Sequence, residues 1–281
     1  MEPLVFAAVL AAAAMHAGWN SFLKVSLEPF LAMTLISAMA GLAALPLLIW
    51  FGWPKAEAWP WLMGSVVVHV AYYGALGEAY RRADMSQIYP IARGGAPLLT
   101  AVVSRLFVTE PISALALTGI AALGSGVALM SLLGRRRGAA FDGGAVAFAL
   151  LTAVIICAYT IIDGIGARVA GDPHAYSAAL FVIDGLPLPL FVLWRRGLPG
   201  LAPAMKFLGR GFAGGAMSLG SYWIAIWAMT VAPIALVAAL RESSVLWAAV
   251  IAVVFLKEPV VPARAVAAAM ILCGLVLIRA G

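Results

Sequence analysis

What most restricts this chain is the recurrence, from end to end, of unbroken apolar runs about 20 residues long. A helix of that length crosses a bilayer core of roughly 30 Å. Inside lipid, every backbone amide has to be bonded within its own helix or within a closed barrel. The runs here do not alternate apolar and polar residues, as the strands of a transmembrane barrel must. The expected fold class is therefore an all-α membrane protein. Composition agrees, since 64% of the 281 residues are hydrophobic and 11% charged, and mean hydropathy is +1.04. Those values lie outside the range of soluble domains, and no soluble domain remains to be placed. The opening stretch "MEPLVFAAVLAAAAM" lacks a basic n-region, so it reads as the first spanning helix rather than a cleaved signal peptide.

Breaking the chain at charges, prolines and glycine-rich turns gives about ten spans. They run at 4–25, 29–51, 59–80, 85–108, 112–133, 143–167, 174–194, 207–229, 233–256 and 260–279. Trp50, Trp53, Trp59 and Trp61 gather around one connection and Trp194 ends a later span, which suits interfacial anchors. Cys157 and Cys273 fall inside apolar runs, where a thiol serves as a small buried hydrophobe. The net charge of +6 comes from residues scattered over short loops. Membrane topology accounts for them better than nucleic acid does.

Aligning the chain with itself reveals a duplication. "RLFVTEPISALALTGIAALGSGVALM" (105–130) parallels "VVFLKEPVVPARAVAAAMILCGLVLI" (253–278), with Glu110-Pro111 matching Glu258-Pro259. The boundary between halves falls near "RRRGAAFDGG", giving repeats at 1–138 and 139–281. Ten spans in two halves put five, an odd number, in each, so the expected arrangement is two inverted five-helix repeats related by an axis in the membrane plane. In such layouts the substrate site lies near the midplane, between the repeats.

The same register sets Arg93 of "YPIARGGAP" opposite Arg241 of "VAALRESSV". An arginine inside a spanning helix costs several kcal/mol or more, so it faces a partner or a wet cavity. Matched arginines suggest two helices facing one internal space. Glu242 either neutralises Arg241 or shares that space; Ser244 follows it. Pro90, Gly94, Gly95 and Pro97 surround Arg93, and proline removes a backbone donor, so a kink and a gate or hinge are expected there.

Other polar positions fall on helix faces. His16, Asn20 and Lys24 form a stripe at spacing four, with Trp19 beside it. His16, Trp19 and Asn20 are candidates for substrate contact, the alternative being polar glue between helices. His69, Tyr73 and Tyr80 share a face of the third span, and Glu78 can pair with Arg81 or Arg82. Tyr159 and Asp163 lie four apart on the sixth span, and Tyr222 and Trp223 sit on the eighth. All are cavity candidates, with plain packing as the alternative. Asp163 and Asp184 are carboxylates deep in their runs; Asp184, beside Gly185, Pro187 and Pro189, reads as structural.

Two halves that each end in "apolar helix, Glu-Pro, glycine-containing helix" resemble the drug/metabolite transporter superfamily, in particular its EamA-type ten-helix permeases. "HAGWNSFLK" and "AYTIIDGIGAR" look like the bacterial EamA-like branch, and the plan is similar to the YddG-type amino-acid exporters. The resemblance spans essentially the whole chain. It implies a basket in which spans one, three, four, six, eight and nine line a central cavity, in a bacterial inner membrane. It also implies export of amino acids or related metabolites by alternating access. The essential first-helix glutamate of the four-helix multidrug relatives has no counterpart within the first span. That disfavours proton-coupled extrusion of cationic drugs.

The resemblance further implies cytoplasmic termini. The charges point the other way, because Lys24, Arg81, Arg82, Arg135 to Arg137, Arg195, Arg196, Lys206, Arg210, Lys257 and Arg264 then lie outside, against Lys55, Arg105, Arg168 and Arg279 on the other side. By the positive-inside rule the termini belong on the periplasmic side, and the charge count is the physical argument followed here. Catalysis is not expected: there is no "HExxH" motif, and His16, His69 and His174 form no local ligand cluster. No cofactor and no metal is expected. The expected partners are a small-molecule substrate and the lipid bilayer, with no nucleic acid, and the expected state is a monomer.

Overall fold

The computed structural model describes residues 1–22, 27–82, 85–133, 143–254, 257 and 262–281, with side chains for all of these except 21–22, 76–82, 85–90, 131 and 252. Every regular element in these residues is helical. The long helices are α1 (Pro3–Phe22), α2 (Pro29–Phe51), α3 (Trp59–Arg82), α4 (Met85–Val103), α5 (Ala114–Leu133) and α6 (Gly143–Val169). They are followed by α7 (Pro173–Asp184), α8 (Pro187–Arg196), the short α9 (Ala202–Met205), α10 (Leu208–Val231), α11 (Ile234–Arg241), α12 (Ser244–Val254) and α13 (Pro262–Ala280). Proline stands at the first turn of α2, α7 and α8, where its missing N–H costs nothing. The Asp172 side chain caps α7 by accepting from the His174 amide at 2.8 Å.

Seven of the helical segments among the described residues are long and apolar enough to cross a membrane, and the chain is a multi-pass membrane protein. Helix α10 has the length, but Ser218, Ser221, Tyr222 and Trp223 in its middle lower its hydropathy. Two spans read as continuous are broken. The seventh stops at Asp184 and resumes at Pro187, since Gly185 and the two prolines interrupt the backbone bonds. The ninth is divided at Glu242–Ser243 into α11 and α12. Cys157 is buried as expected, but Cys273 is exposed on the outer surface of α13.

Helix α1 packs on α10 and α12, α6 packs on α3 and α4, and α5 packs along α13. The last contact depends on glycine. A Cβ on Gly119 would lie 2.8 Å from the Gly274 carbonyl oxygen, and one on Gly274 would lie 2.7 Å from that of Gly119. The two backbones therefore touch directly, as small residues permit in membrane helices. Trp50, Trp53 and Trp194 are exposed at the ends of the bundle, and Trp53 stacks on Trp59.

The end of α4 is unusual. It widens into a π turn over Ser104–Val108 and stops at Thr109, which has a left-handed φ of 56°. The other non-glycine residue with positive φ among the described residues is Lys257, at 54°. Each immediately precedes a Glu-Pro pair. Both Glu-Pro pairs are thus preceded by a residue with left-handed φ.

Candidate substrate site

Arg93 on α4 and Arg241 at the end of α11 line one internal cavity, together with Ala96, Pro97, Thr100, Ile156, Tyr159, Thr160, Ala238 and Glu242. The two arginines and Glu242 are buried, with 6%, 9% and 5% of their surface exposed. The space left among them is about 10 Å³, enough for roughly one water.

Glu242 does not pair with its neighbour Arg241. Its Oε2 lies 2.9 Å from Arg93 Nε. Adjacent helical residues point about 100° apart, so a glutamate beside an arginine in sequence is free to reach across to another helix. Arg93 also directs Nη2 at His16 Nε2, 3.2 Å away on α1. Trp19 sends its indole N–H to the other imidazole nitrogen, Nδ1, at 3.3 Å. Both neighbours are donors and a neutral imidazole accepts at one nitrogen, so the two compete for it. Asn20 spends its side chain on the His16 carbonyl of its own helix, at 2.8 Å.

Arg241 stands over the Tyr222 ring, with Cζ 4.5 Å from the centroid, a cation–π arrangement. The Tyr222 hydroxyl donates to Asp163 Oδ2 at 2.5 Å, and the Tyr176 hydroxyl donates to Oδ1 at 3.0 Å. Asp163 therefore supports the aromatic wall rather than the arginines. Around it His69 stacks on Tyr159, with centroids 4.5 Å apart, and Tyr72 and Tyr222 meet Tyr159 edge-on.

Among the expected site residues, His16, Trp19, Arg93, Tyr159, Asp163, Tyr222, Arg241 and Glu242 fall in or directly beside this cluster, and Ser244 is buried two residues beyond Glu242. Tyr73 turns instead to Asp184, donating to Oδ2 at 3.4 Å, and its neighbour Tyr72 faces the aromatic wall. Trp223 points away from the cluster, about 100° around α10 from Tyr222, where its N–H donates to His174 Nδ1 at 2.8 Å and its ring meets Phe51. Within the expected hinge, α4 is helical throughout. Gly94 lets α4 approach α5, since its Cβ would lie 3.1 Å from the Gly124 carbonyl oxygen, while Pro97 lines the cavity. The side chains of Lys24, Glu78, Tyr80, Arg81, Arg82 and Pro90 lie outside the described residues.

Sequence reasoning missed a second buried network. Glu110 of the first Glu-Pro pair accepts from Ser104 Oγ, from Arg168 Nη2 at 2.5 Å and from the Ile234 amide at 2.9 Å. Arg168 adds bonds to the carbonyls of Met229 (2.9 Å) and Ala232 (3.1 Å). Glu110 thus ties the end of α4 to the end of α6 and the start of α11. The hint was a glutamate repeated before proline, but nothing in the sequence names a partner 58 residues away.

Residues 143–280 match the EamA-like transporter family. The EamA-like part includes α6 to α13, and with them Asp163, Tyr222, Arg241 and Glu242. A solved structure named "Crystal structure of protein" is similar to 98% of this chain and 94% of its own, with a TM-score of 0.76 and 18% identity. At that identity the likeness concerns the fold. No curated protein matches the chain.

Proposed function

We propose that the chain is a secondary transporter of the drug/metabolite transporter superfamily that moves small metabolites, amino acids first among them, out of a bacterial cell by alternating access. The observation that carries this reading is the buried cluster joining Arg93 to Glu242 across a cavity that Arg241 also lines. Charges held deep in a membrane protein mark solute pathways. In this reading residues 1–138 and 139–281 are inverted repeats. The contacts support it: exchanging α1 with α6 and α3 with α10 turns the α3–α6 pair into the α1–α10 pair, and exchanging α4 with α12 as well turns α4–α6 into α1–α12. Exchanging α5 with α13 maps that pair onto itself, while α4–α5 has no comparable counterpart between α12 and α13 among the described residues. The EamA-like match of the second half supports it as well. The small cavity suits an occluded state, closed on both sides, from which either half can open. Its aromatic wall offers weak, reversible contacts to an amphipathic solute. Likeness to the YddG-type exporters is the finer form of the same proposal.

The test is flux. Proteoliposomes loaded with labelled amino acids are expected to show saturable, mutually competing efflux, abolished by Arg241→Ala. Efflux that rises linearly with concentration would identify a passive channel instead. Absence of flux across the whole panel, with Arg241→Ala indistinguishable from the parent, defeats the proposal.

A further inference from the structure

The two central arginines are in different chemical situations. Arg93 is occupied by Glu242 and His16. Arg241 is more than nine-tenths buried and lines the cavity, yet among the described residues it makes no hydrogen bond or ion pair and has only the Tyr222 ring beneath it. A guanidinium carries five N–H donors in a planar fork. Those donors lie on the cavity and call for an acceptor there, water in the empty site and a solute group in the filled one.

Two other groups nearby are in the same condition. Ser243 Oγ and Ser244 Oγ are buried, at 1% and 2% exposure, and have no hydrogen-bond partner. Both lie in the turn between α11 and α12, where the amides of Glu242, Ser243, Val245 and Leu246 are bonded within the turn, so the side chains are the groups left without partners. The carboxylates within reach are used elsewhere: Glu242 faces Arg93, and Asp163 has one tyrosine hydroxyl on each oxygen, Tyr222 on one and Tyr176 on the other. A guanidinium and two buried hydroxyls within four consecutive residues are therefore left without a hydrogen-bond partner, and the one anion beside them, Glu242, is committed to Arg93.

We propose that Arg241, with Ser243 and Ser244, binds the carboxylate of the transported solute, and that the carboxylate is the group this site recognises. This rests on the transport reading above. One unoccupied guanidinium matches a single negative charge, and its fork accepts both oxygens of a carboxylate. A phosphate would bring a second charge with no cation left for it. The same accounting denies the solute's amino group an anionic partner, because Glu242 and Asp163 are both engaged. Organic acids that lack the amino group are substrates as well, and amines that lack the carboxylate are not.

The experiment uses the full-length protein purified in detergent. Thermal unfolding is measured with each of the twenty amino acids, and for each one that stabilises, with its deaminated acid, its amide and its decarboxylated amine. The deaminated acids are expected to bind within about threefold of the parent amino acids, and the amides and amines at least about tenfold more weakly, because a site built around a polar group rejects analogues lacking it. Arg241→Gln is expected to weaken the acids by at least about tenfold. Ser243→Ala/Ser244→Ala leaves every charge in place and is expected to weaken them about two- to tenfold, which keeps the test available if the arginine variant does not fold. Binding of amines or amides in preference to acids overturns the carboxylate assignment, as does unchanged affinity for acids in both variants. Saturable flux of amines alone in proteoliposomes also overturns it while leaving transport intact. No saturable flux of any member of the set overturns the transport reading itself, and this assignment with it.

Discussion

Replacing Glu110 tests how the two halves are tied together. In Glu110→Ala the Ile234 amide, on a residue with no exposed surface, loses its acceptor. An unsatisfied buried N–H costs about 2 kcal/mol. Arg168 loses its ion partner too, but its side chain is 32% exposed, so solvent screening limits that loss to about 1 kcal/mol. Its bonds to the Met229 and Ala232 carbonyls persist. The expected total is about 3 kcal/mol. Glu110→Gln behaves differently. Its amide NH₂ can take the oxygen position facing Ser104, whose hydroxyl rotates to accept, while the remaining oxygen still serves Arg168 and Ile234. Only charge assistance disappears, about 1 kcal/mol. Titration of the purified protein with SDS in mixed micelles, followed by tryptophan fluorescence, gives both unfolding free energies. Equal stability of the two variants, or a glutamine variant less stable than the alanine one, refutes this account of the network.

Three further outcomes follow from particular contacts. Gly274→Ala forces a Cβ to 2.7 Å from the Gly119 carbonyl oxygen and is expected to cost about 2 kcal/mol by overpacking; Gly64→Ala on α3, where nothing lies within 4 Å, is expected to be neutral or stabilising by up to about 1 kcal/mol in the same titration. Glu28, in the loop before α2, accepts two hydrogen bonds from Arg196, at 2.7 and 3.1 Å. Those bonds hold its carboxyl below the ordinary value of 4.5, and the arginine's charge adds to the effect. A depressed carboxylate pKa stabilises the fold in full above the ordinary value, and that contribution disappears as pH falls through the lowered one. The stability difference between the parent and Glu28→Gln is therefore expected to be small at neutral pH, to vanish in acid and to shrink in high salt, as pH-dependent unfolding at two salt concentrations would reveal. Finally, a phosphatase fused after Gly281 is expected to be active, and a fluorescent protein at the same place dark, as the loop charges require; a bright fluorescent fusion with inactive phosphatase puts the termini in the cytoplasm.

The helices and their membrane-spanning character were largely legible, because apolar run length is written directly in the chain; against ten expected spans, seven helical segments among the described residues are long and apolar enough to cross a membrane. So was the pairing of Arg93 with Arg241, since a repeated Glu-Pro fixes the register between the halves. The partner of Glu242 was not. Sequence adjacency suggested Arg241, but contact depends on which helix lies across the interface. The break at Glu242–Ser243 was hidden too. It involves no proline or glycine, and a two-residue turn inside an apolar run leaves the hydropathy almost unchanged. Tyr72 and Tyr73 show the same limit at finer scale. Both are aromatic and adjacent, and the packing of neighbouring helices alone decides that Tyr72 joins the aromatic wall while Tyr73 reaches Asp184.

The crossing of α5 and α13 at Gly119 and Gly274 bears on how such a bundle can move. Two backbones in direct contact have no side chains between them to act as a bearing, so one helix cannot slide along the other without collision. The close approach recurs along the pair, since a Cβ on Gly126 would lie 2.9 Å from the Ala267 carbonyl oxygen. In the transport reading proposed above, α5 and α13 therefore act as one locked post, and the other helices rock around it.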